Sequence, residues 1–454
     1  MRIEQDSLGP VEVPENVYYG AQTQRAVKNF KASGKTFPPD FIEAYLLIKK
    51  ACAMANASCG KLDADRKDII ISACERAENL FDQFVVDIFQ AGAGTSFNMN
   101  VNEVVANLAA ELAGKKKGDY SYIHPNDHVN MSQSTNDTFP TASHIAVIWK
   151  AEVLIKILRD LAKAFKVKGS EFSEVEKSGR THLMDATPVT VGHEFSAYAF
   201  SLERCAELLK AGREILLEVP LGSTATGRGD NTPEGFTELA LGYLSELSVM
   251  PLRKPVDSFE PLQSRIGLSV FSGYLNVLAR ELNRIANDLR LLNSGPTAGL
   301  AEIALPAVQP GSSIMPGKVN PVMAECLNMV CFKIIGNHTT VSEASQAGQL
   351  ELNVMTPVMT SSILESLELL INYLPDFQKR CVEGISVNRK RCRELILLNP
   401  SLATLLSTEI GYDRAAKLAL ESMEKEIPVP ELAVEKGLIT KQKAAVIFKK
   451  YLEQ

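Results

Sequence analysis

The sequence lacks any apolar run long enough to cross a bilayer, which takes roughly 18–20 residues. The longest candidate, from His144 to Leu161, is interrupted by Lys150, Glu152, Lys156, Arg159 and Asp160. The opening MRIEQDSLGP turns charged at once and has no apolar centre, so a secretory leader is not expected there. Positive charge is not in excess: 48 Lys and Arg against 54 Asp and Glu leave a net charge of −6, with a pI near 5.7. Nucleic acid and membrane are therefore not expected as partners, although a local cluster of donors can still hold a small anion. The eight cysteines form no CxxC pair. Cys52, Cys59, Cys74 and Cys205 fall in apolar helical patterns and read as reduced, packed thiols, which predicts a cytoplasmic protein. There is also no internal repeat and no low-complexity tract.

What is present is helix. At 454 residues, 45% of them hydrophobic and 22% charged, the chain has globular composition and is long enough for two or three domains. Apolar residues recur three and four apart in FIEAYLLIKKACAMANA (Phe41 to Ala57) and NEVVANLAAEL (Asn102 to Leu112). Five longer stretches follow, at about 140–168, 192–217, 262–292, 322–345 and 350–381. A helix of about 29 residues measures roughly 44 Å, and helices of that length belong in a bundle. In the third, Leu268, Phe271, Leu275, Leu278, Leu282, Ile285 and Leu289 line one side. Apolar surface on several faces predicts an oligomer, because one elongated bundle would leave much of it in water. Strand signals are confined to Val11 to Val13 and a piece near Val249. The expected organisation is a mostly helical N-terminal domain (1–135), a central long-helix bundle (136–391) and a small helical C-terminal domain (392–454) ending in LITKQKAAVIFKKYLEQ.

Polar residues that could carry chemistry gather in four loops. GSSIMPGKVNP, Gly311 to Pro321, holds two glycines and two prolines that forbid regular structure. It offers Ser312, Ser313, Lys318, Asn320 and free backbone N–H groups; Lys318 and Asn320 suit a carboxylate. GAGTSFNMN, Gly92 to Asn100, precedes a helix whose first amides favour an anion, with Thr95 and Ser96 as hydroxyl donors. HPNDHVNMSQSTNDTFP, His124 to Pro140, crowds His124, Asn126, Asp127, His128, Asn130, Ser134, Thr135 and Asn136 ahead of a long helix, where capping by Ser134 to Asp137 is a competing explanation. GRTHLMDATP, Gly179 to Pro188, sets Thr181 and His182 between two long helices. No metal site emerges: His124 and His128 are spaced i,i+4, but Pro125 argues against a helix-borne pair. A Ser312–His182–Asp127 triad can be assembled, yet GxSxG is absent.

GSSIMPGKVNP closely resembles the signature loop of the fumarase/aspartase superfamily, and its GKVNP ending looks like the fumarase–aspartase branch. The argininosuccinate and adenylosuccinate lyase branches carry other residues there. The resemblance runs from VPENVYYGAQTQRA at Val13 to IGYDRAAKLA at Ile410, with four separated loops matching in order. It implies a mainly α, three-domain lyase with a long central helical bundle. Four chains would form a homotetramer with a multi-helix core, each active site drawing on three subunits. By position it implies Ser312 as general base, Lys318 and Asn320 as carboxylate holders, Thr181 and His182 as substrate contacts, and Glu325 as the group orienting His182. Thr95, Ser96, Ser134, Thr135 and Asn136 would complete the pocket, and His124, Asn126 and Asp127 would offer a second anion site. No cofactor is required on this reading; activation by a divalent metal stays open.

The residue types suit that chemistry. Removing a proton next to a carboxylate builds a dianionic, aci-carboxylate-like intermediate, which preorganised donors must meet in a water-excluded pocket. Serine serves as a base only if its alkoxide is stabilised, for which a nest of backbone N–H groups near Lys318 is expected, under a loop that closes on substrate. The leaving group rests on few positions. Ser96 stands where fumarases usually carry glutamine, Thr135 where they usually carry serine, and HPNDHVN and GQLELNVM also look like the aspartase side. Phe259–Glu260 resembles a fumarase segment. The expected reaction is reversible loss of ammonia from L-aspartate to give fumarate, with loss of water from L-malate as the alternative. A crystallin-like structural relative would have no need of Ser312, Lys318 or His182, and all are present. Three departures from the family pattern, Thr297 after Pro296, Arg228 with Asp230 in GSTATGRGDNT, and STEIGY at Ser407 to Tyr412, leave substrate detail and regulation open.

Overall fold

The structure, a computed structural model, describes residues 1–452; Glu453 and Gln454, the last of the expected C-terminal helix, lie outside the described residues. The chain opens with a hairpin, β1 (Arg2–Asp6) and β2 (Gly9–Val13), then α1 (Ala21–Asn29), α2 (Pro39–Ser58), α3 (Ala64–Ala77) and α4 (Thr95–Leu112). Next come α5 (Thr135–Glu171), a second hairpin β3 (Glu176–Thr181) and β4 (Met184–Thr190), α6 (Val191–Leu216), α7 (Phe236–Ser248), the short α8 (Glu260–Gln263) and α9 (Ile266–Leu292). Strand β5 (Ile303–Ala304), α10 (Val322–Gln346), α11 (Thr356–Arg380) and strand β6 (Ser386–Val387) follow. The chain then continues through α12 (Arg389–Leu397), α13 (Ser407–Ile410), α14 (Tyr412–Lys425), α15 (Val429–Glu435), α16 (Lys441–Ile447) and α17 (Lys449–Leu452). The fold is mainly α, and α5, α6, α9, α10 and α11 are the five long helices expected from the apolar period.

Helix α5 starts five residues earlier than Pro140, because Ser134 caps it: the Asn136 N–H donates to Ser134 Oγ at 3.2 Å. Pro140 is the sixth residue of α5, past the first turn, so the helix forgoes the one hydrogen bond that would reach Asn136 O. In α9 the seven apolar residues picked out by period are all buried.

Two sequence expectations are corrected. Val249 is not in a strand; it terminates α7 in the left-handed region, at φ 56°. The Gly179–Pro188 segment is not a loop but most of the β3–β4 hairpin, its two-residue turn formed by His182 and Leu183. His124 and His128 do not share a helix: His124 is the extended N-cap of a single wide turn, Pro125–Val129, and Pro125 takes its first position, where the missing N–H is no loss.

The chain divides into two compact units. One comprises Met1–Ile155, Glu207–Val277 and Lys333–Leu370; the other comprises Lys156–Ala206, Leu278–Phe332 and Ile371–Gln454. In the first, Phe37, Phe41, Tyr45, Phe97 and Phe139 pack ring against ring, with Phe37 and Phe41 centroids 4.5 Å apart. In the second, Phe165, Phe172, Phe195 and Tyr198 form a smaller aromatic group. The C-terminal helices close around Ile396, Leu402, Leu406, Leu418, Leu432 and Phe448.

The β3–β4 hairpin of the second unit is held by charge. Glu302, fully buried, accepts from both terminal nitrogens of Arg180 at 2.9 Å and lies 3.2 Å from Lys177 Nζ. Lys177, also buried, donates to Glu194 at 2.7 Å. Breaking such a cluster strands charges out of water, which costs about 3–5 kcal/mol for one lost partner. Glu302→Gln should therefore lower the unfolding free energy by roughly that amount, read as a shift in the urea midpoint. A shift near zero would mean that the cluster does not anchor the hairpin.

Candidate active site

Residues 311–321 form an irregular segment ahead of α10, closed on itself at its base. The Gly311 N–H donates to Lys318 O at 2.9 Å, and Asn320 Nδ2 donates to Gly311 O at 2.6 Å. A side chain at Gly311 would fall 2.4 Å from Lys318 O, so only glycine lets the two ends meet. Within this ring Ser312 Oγ accepts the N–H groups of Met315 at 3.1 Å and Ile314 at 3.3 Å. Ser312 is half-buried, whereas Ser313 and Lys318 are exposed. Two backbone N–H groups thus meet the Ser312 oxygen, and Asn320 holds the loop with one of its two amide hydrogens.

Thr181 and His182 sit at the tip of the β3–β4 hairpin, both exposed. His182 and Leu183 take φ of 57° and 60°. Two-residue turns of this kind favour Asn-Gly because both positions need positive φ, so a histidine and a leucine here are strained. The anchor described above fixes the strand that ends on Thr181. Glu325 lies in the first turn of α10. Among the described residues no hydrogen bond joins it to His182, and none joins Ser312 to either Thr181 or His182.

The first unit holds the other candidates. Thr95 and Ser96 open α4 and are accessible, while the fourteen residues that follow, up to Ala110, are buried. The turn before them is tight: Gly94 has φ 86°, and a side chain there would lie 2.1 Å from the Phe139 ring. Ala93 N–H donates to Val354 O at 2.7 Å, which ties GQLELNVM to this turn. No side chain caps α4 at Gly94. Gln90 Oε1 takes one free amide, that of Phe97; the rest of the helix start suits an anion.

Ser134, Thr135 and Asn136 lie at the start of α5, so capping and candidate binding coexist. Beneath them Asp137 is fully buried. Its carboxylate accepts the N–H groups of Ser134 at 3.1 Å, Gly222 at 3.1 Å and Thr224 at 2.8 Å. Burial pushes the Asp137 carboxyl up to about 7, with the backbone N–H groups opposing that rise. Asn136 Nδ2 donates to Ala225 O at 2.8 Å. The glycine-rich turn thus packs against the Ser134–Asn136 segment, while the departing pair Arg228 and Asp230 faces solvent, 3.6 Å apart.

Two groups of functional interest carry no sequence motif. Lys49 on α2 is fully buried, and its ammonium donates to Asn98 Oδ1 (2.8 Å), Asn130 Oδ1 (3.0 Å) and Gln133 Oε1 (2.9 Å). Burial pulls its pKa down to about 7. The signal for it was a lysine inside an apolar helical period; the other group, Lys177–Arg180–Glu302, is non-local and left no signal. His124 Nδ1 accepts the N–H groups of Asn126 and Asp127, both at 3.2 Å, so it caps its own turn. His128 Nδ1 accepts the His124 N–H at 2.8 Å. Among the described residues no group of three or more His, Cys, Asp or Glu is placed to hold a metal.

With this geometry in view, two family models match the chain: a lyase model over residues 9–336 and a fumarase C C-terminus model over residues 402–450. The aspartate ammonia-lyase of Pseudomonas aeruginosa is 45% identical over 443 residues, covering 96% of this chain and 94% of that protein. The solved fumarate lyase:delta crystallin from Brucella melitensis, bound to cobalt, superposes with a TM-score of 0.96 at 44% identity, over 99% of this chain and 98% of that one. A class II fumarase from Schistosoma mansoni gives 0.95 at 37% identity, over 100% and 98%. The matched loops, the long helices and these relatives agree: the chain belongs to the fumarase/aspartase family of lyases.

Proposed function

We propose that the protein is an aspartate ammonia-lyase, which eliminates ammonia reversibly from L-aspartate to give fumarate. The observation that carries the catalytic part is the pair of backbone N–H groups directed at Ser312 Oγ. A serine alkoxide is too basic to persist in water, and fixed donors lower its energy without reorganisation. Ser312 then takes the proton from the carbon beside one carboxylate. The electron pair spreads into that carboxylate as an aci-carboxylate dianion, and its return expels ammonia from the neighbouring carbon as the double bond forms. Lys318 and Asn320 hold the carboxylate that gathers charge. Thr181 and His182 contact substrate, with Glu325 orienting His182. Thr95, Ser96, Ser134, Thr135 and Asn136 grip the rest of the substrate against the opening of α4. Ammonia, rather than water, is supported by the 45% identity to the Pseudomonas aeruginosa enzyme and by Ser96 and Thr135.

The acting species in this reading is a homotetramer whose sites draw on three subunits. Large apolar side chains exposed on long helices support it, among them Phe200 on α6 and Met329 and Phe332 on α10, each at least 59% accessible. Eight free cysteines, six of them buried, favour the cytoplasm.

Two measurements test the proposal. Purified protein should form fumarate from L-aspartate, followed by the ultraviolet absorbance of the new conjugated double bond; formation from L-malate alone would replace ammonia with water as the leaving group. Ser312→Ala should lower kcat by at least about 10²–10⁴-fold, the usual yield of a positioned base, with circular dichroism and oligomer size unchanged. Near-normal turnover in that variant would remove Ser312 as the base.

A further inference from the structure

Lys49 is buried completely, yet among the described residues no carboxylate pairs with it. Its three N–H bonds all go to neutral amide oxygens, those of Asn98, Asn130 and Gln133, at 2.8–3.0 Å. Taking an ammonium out of water without a counter-charge is costly. A methionine of similar length would fill the same space more cheaply if packing were its only purpose.

The three acceptors are not scattered. Asn98 lies in the first turn of α4, three residues after Thr95. Asn130 and Gln133 lie just ahead of Ser134. The acceptors are themselves braced: Asn98 Nδ2 donates to Asn130 Oδ1 at 3.2 Å, and Gln133 Nε2 donates to Val129 O at 3.0 Å and Met131 O at 3.2 Å. Tyr45, one turn earlier on α2, repeats the pattern. Its hydroxyl lies 3.2 Å from Asn98 Oδ1 and 2.8 Å from Thr138 Oγ1, and with Thr138 donating to Ser134 O at 2.9 Å the Tyr45 proton goes to one of these two oxygens. One face of α2 therefore fastens the segment bearing Thr95 and Ser96 to the segment bearing Ser134, Thr135 and Asn136. The buried carboxyl of Asp137 does not bond this ammonium; its oxygens are taken by backbone N–H groups.

We propose that Lys49 is a positioning residue for the reaction: its ammonium sets the spacing of these two segments, and so the affinity for the dicarboxylate, without touching it. The inference rests on the assignment of those segments to substrate. Because a carboxylate held there is present before and during the chemical step, loss of the spacing acts on binding more than on turnover.

The test compares wild type, Lys49→Met, Gln133→Ala and the double variant as full-length oligomers. The readouts are kcat and KM for L-aspartate, the dissociation constant of fumarate by calorimetry, and the urea midpoint. Lys49→Met should raise KM and the fumarate constant by about 10-fold or more, as expected for loss of charge-assisted hydrogen bonds, with kcat changed by less than about threefold. If Lys49 acts through Gln133, the double variant should bind scarcely worse than Lys49→Met alone. Should Lys49→Met fail to fold, Gln133→Ala, which leaves the ammonium two of its acceptors, must still raise KM. A lowered urea midpoint with KM and the fumarate constant unchanged, or strictly additive losses in the double variant, overturns the proposal. If wild type releases water from L-malate and nothing from L-aspartate, the leaving-group assignment falls while the fumarate comparison still decides on Lys49.

Discussion

Glu302, itself shielded from water, has both carboxylate oxygens engaged by the partly buried Arg180 and a further contact to the buried Lys177; the hairpin ending on Thr181 and His182 is built on that knot. The same constraint recurs under the other candidate segments. Asp137 gathers three backbone N–H groups from the start of α5 and the glycine-rich turn. Lys49 gathers three amide oxygens beside the openings of α4 and α5. A buried polar group must have its bonding capacity met inside the protein, and each of these meets it with groups from segments far apart in sequence. The cost of a misplaced loop is then the cost of an unsatisfied buried charge, far more than a surface loop would otherwise resist.

The five long helices were legible in the sequence because their apolar period depends only on neighbours three and four residues apart. The seven α9 residues picked out by that period are all buried for this reason. The β3–β4 hairpin was not legible. Its strands carry Gly, Thr and Pro, its register shifts between Lys177 and Gly179, and its turn residues are His and Leu where Asn-Gly would have given it away. Of the candidate site, the loops and their hydroxyls were visible as dense polar clusters. The anchors were not, since Lys49, Asp137 and Glu302 act on residues tens or hundreds of positions away.

At the tips of the anchored segments the balance is reversed. His182, Thr181, Lys318 and Thr95 are all exposed, and the His182–Leu183 turn holds a backbone conformation that neither residue favours. Strain of this sort persists only where surrounding structure over-determines it, which the Glu302 knot does. Rigid bases under open tips are what electrostatic stabilisation of a developing dianion needs, because donors already fixed in place cost nothing to reorganise when charge appears.

This division also limits what can separate ammonia from water as a leaving group. On the proposed assignment, the anchors and the donors on Ser312 serve the proton removed and the charge created, steps that both eliminations share. Discrimination must come from side chains that meet the far carbon. Thr135, almost buried, and Ser96, half-buried, are small and stand at the openings of α5 and α4, the two segments that Lys49 fastens together. On the proposed assignment, leaving-group preference rests on these two short side chains, while the buried Lys49 ammonium serves the grip on the carboxylate that both eliminations share.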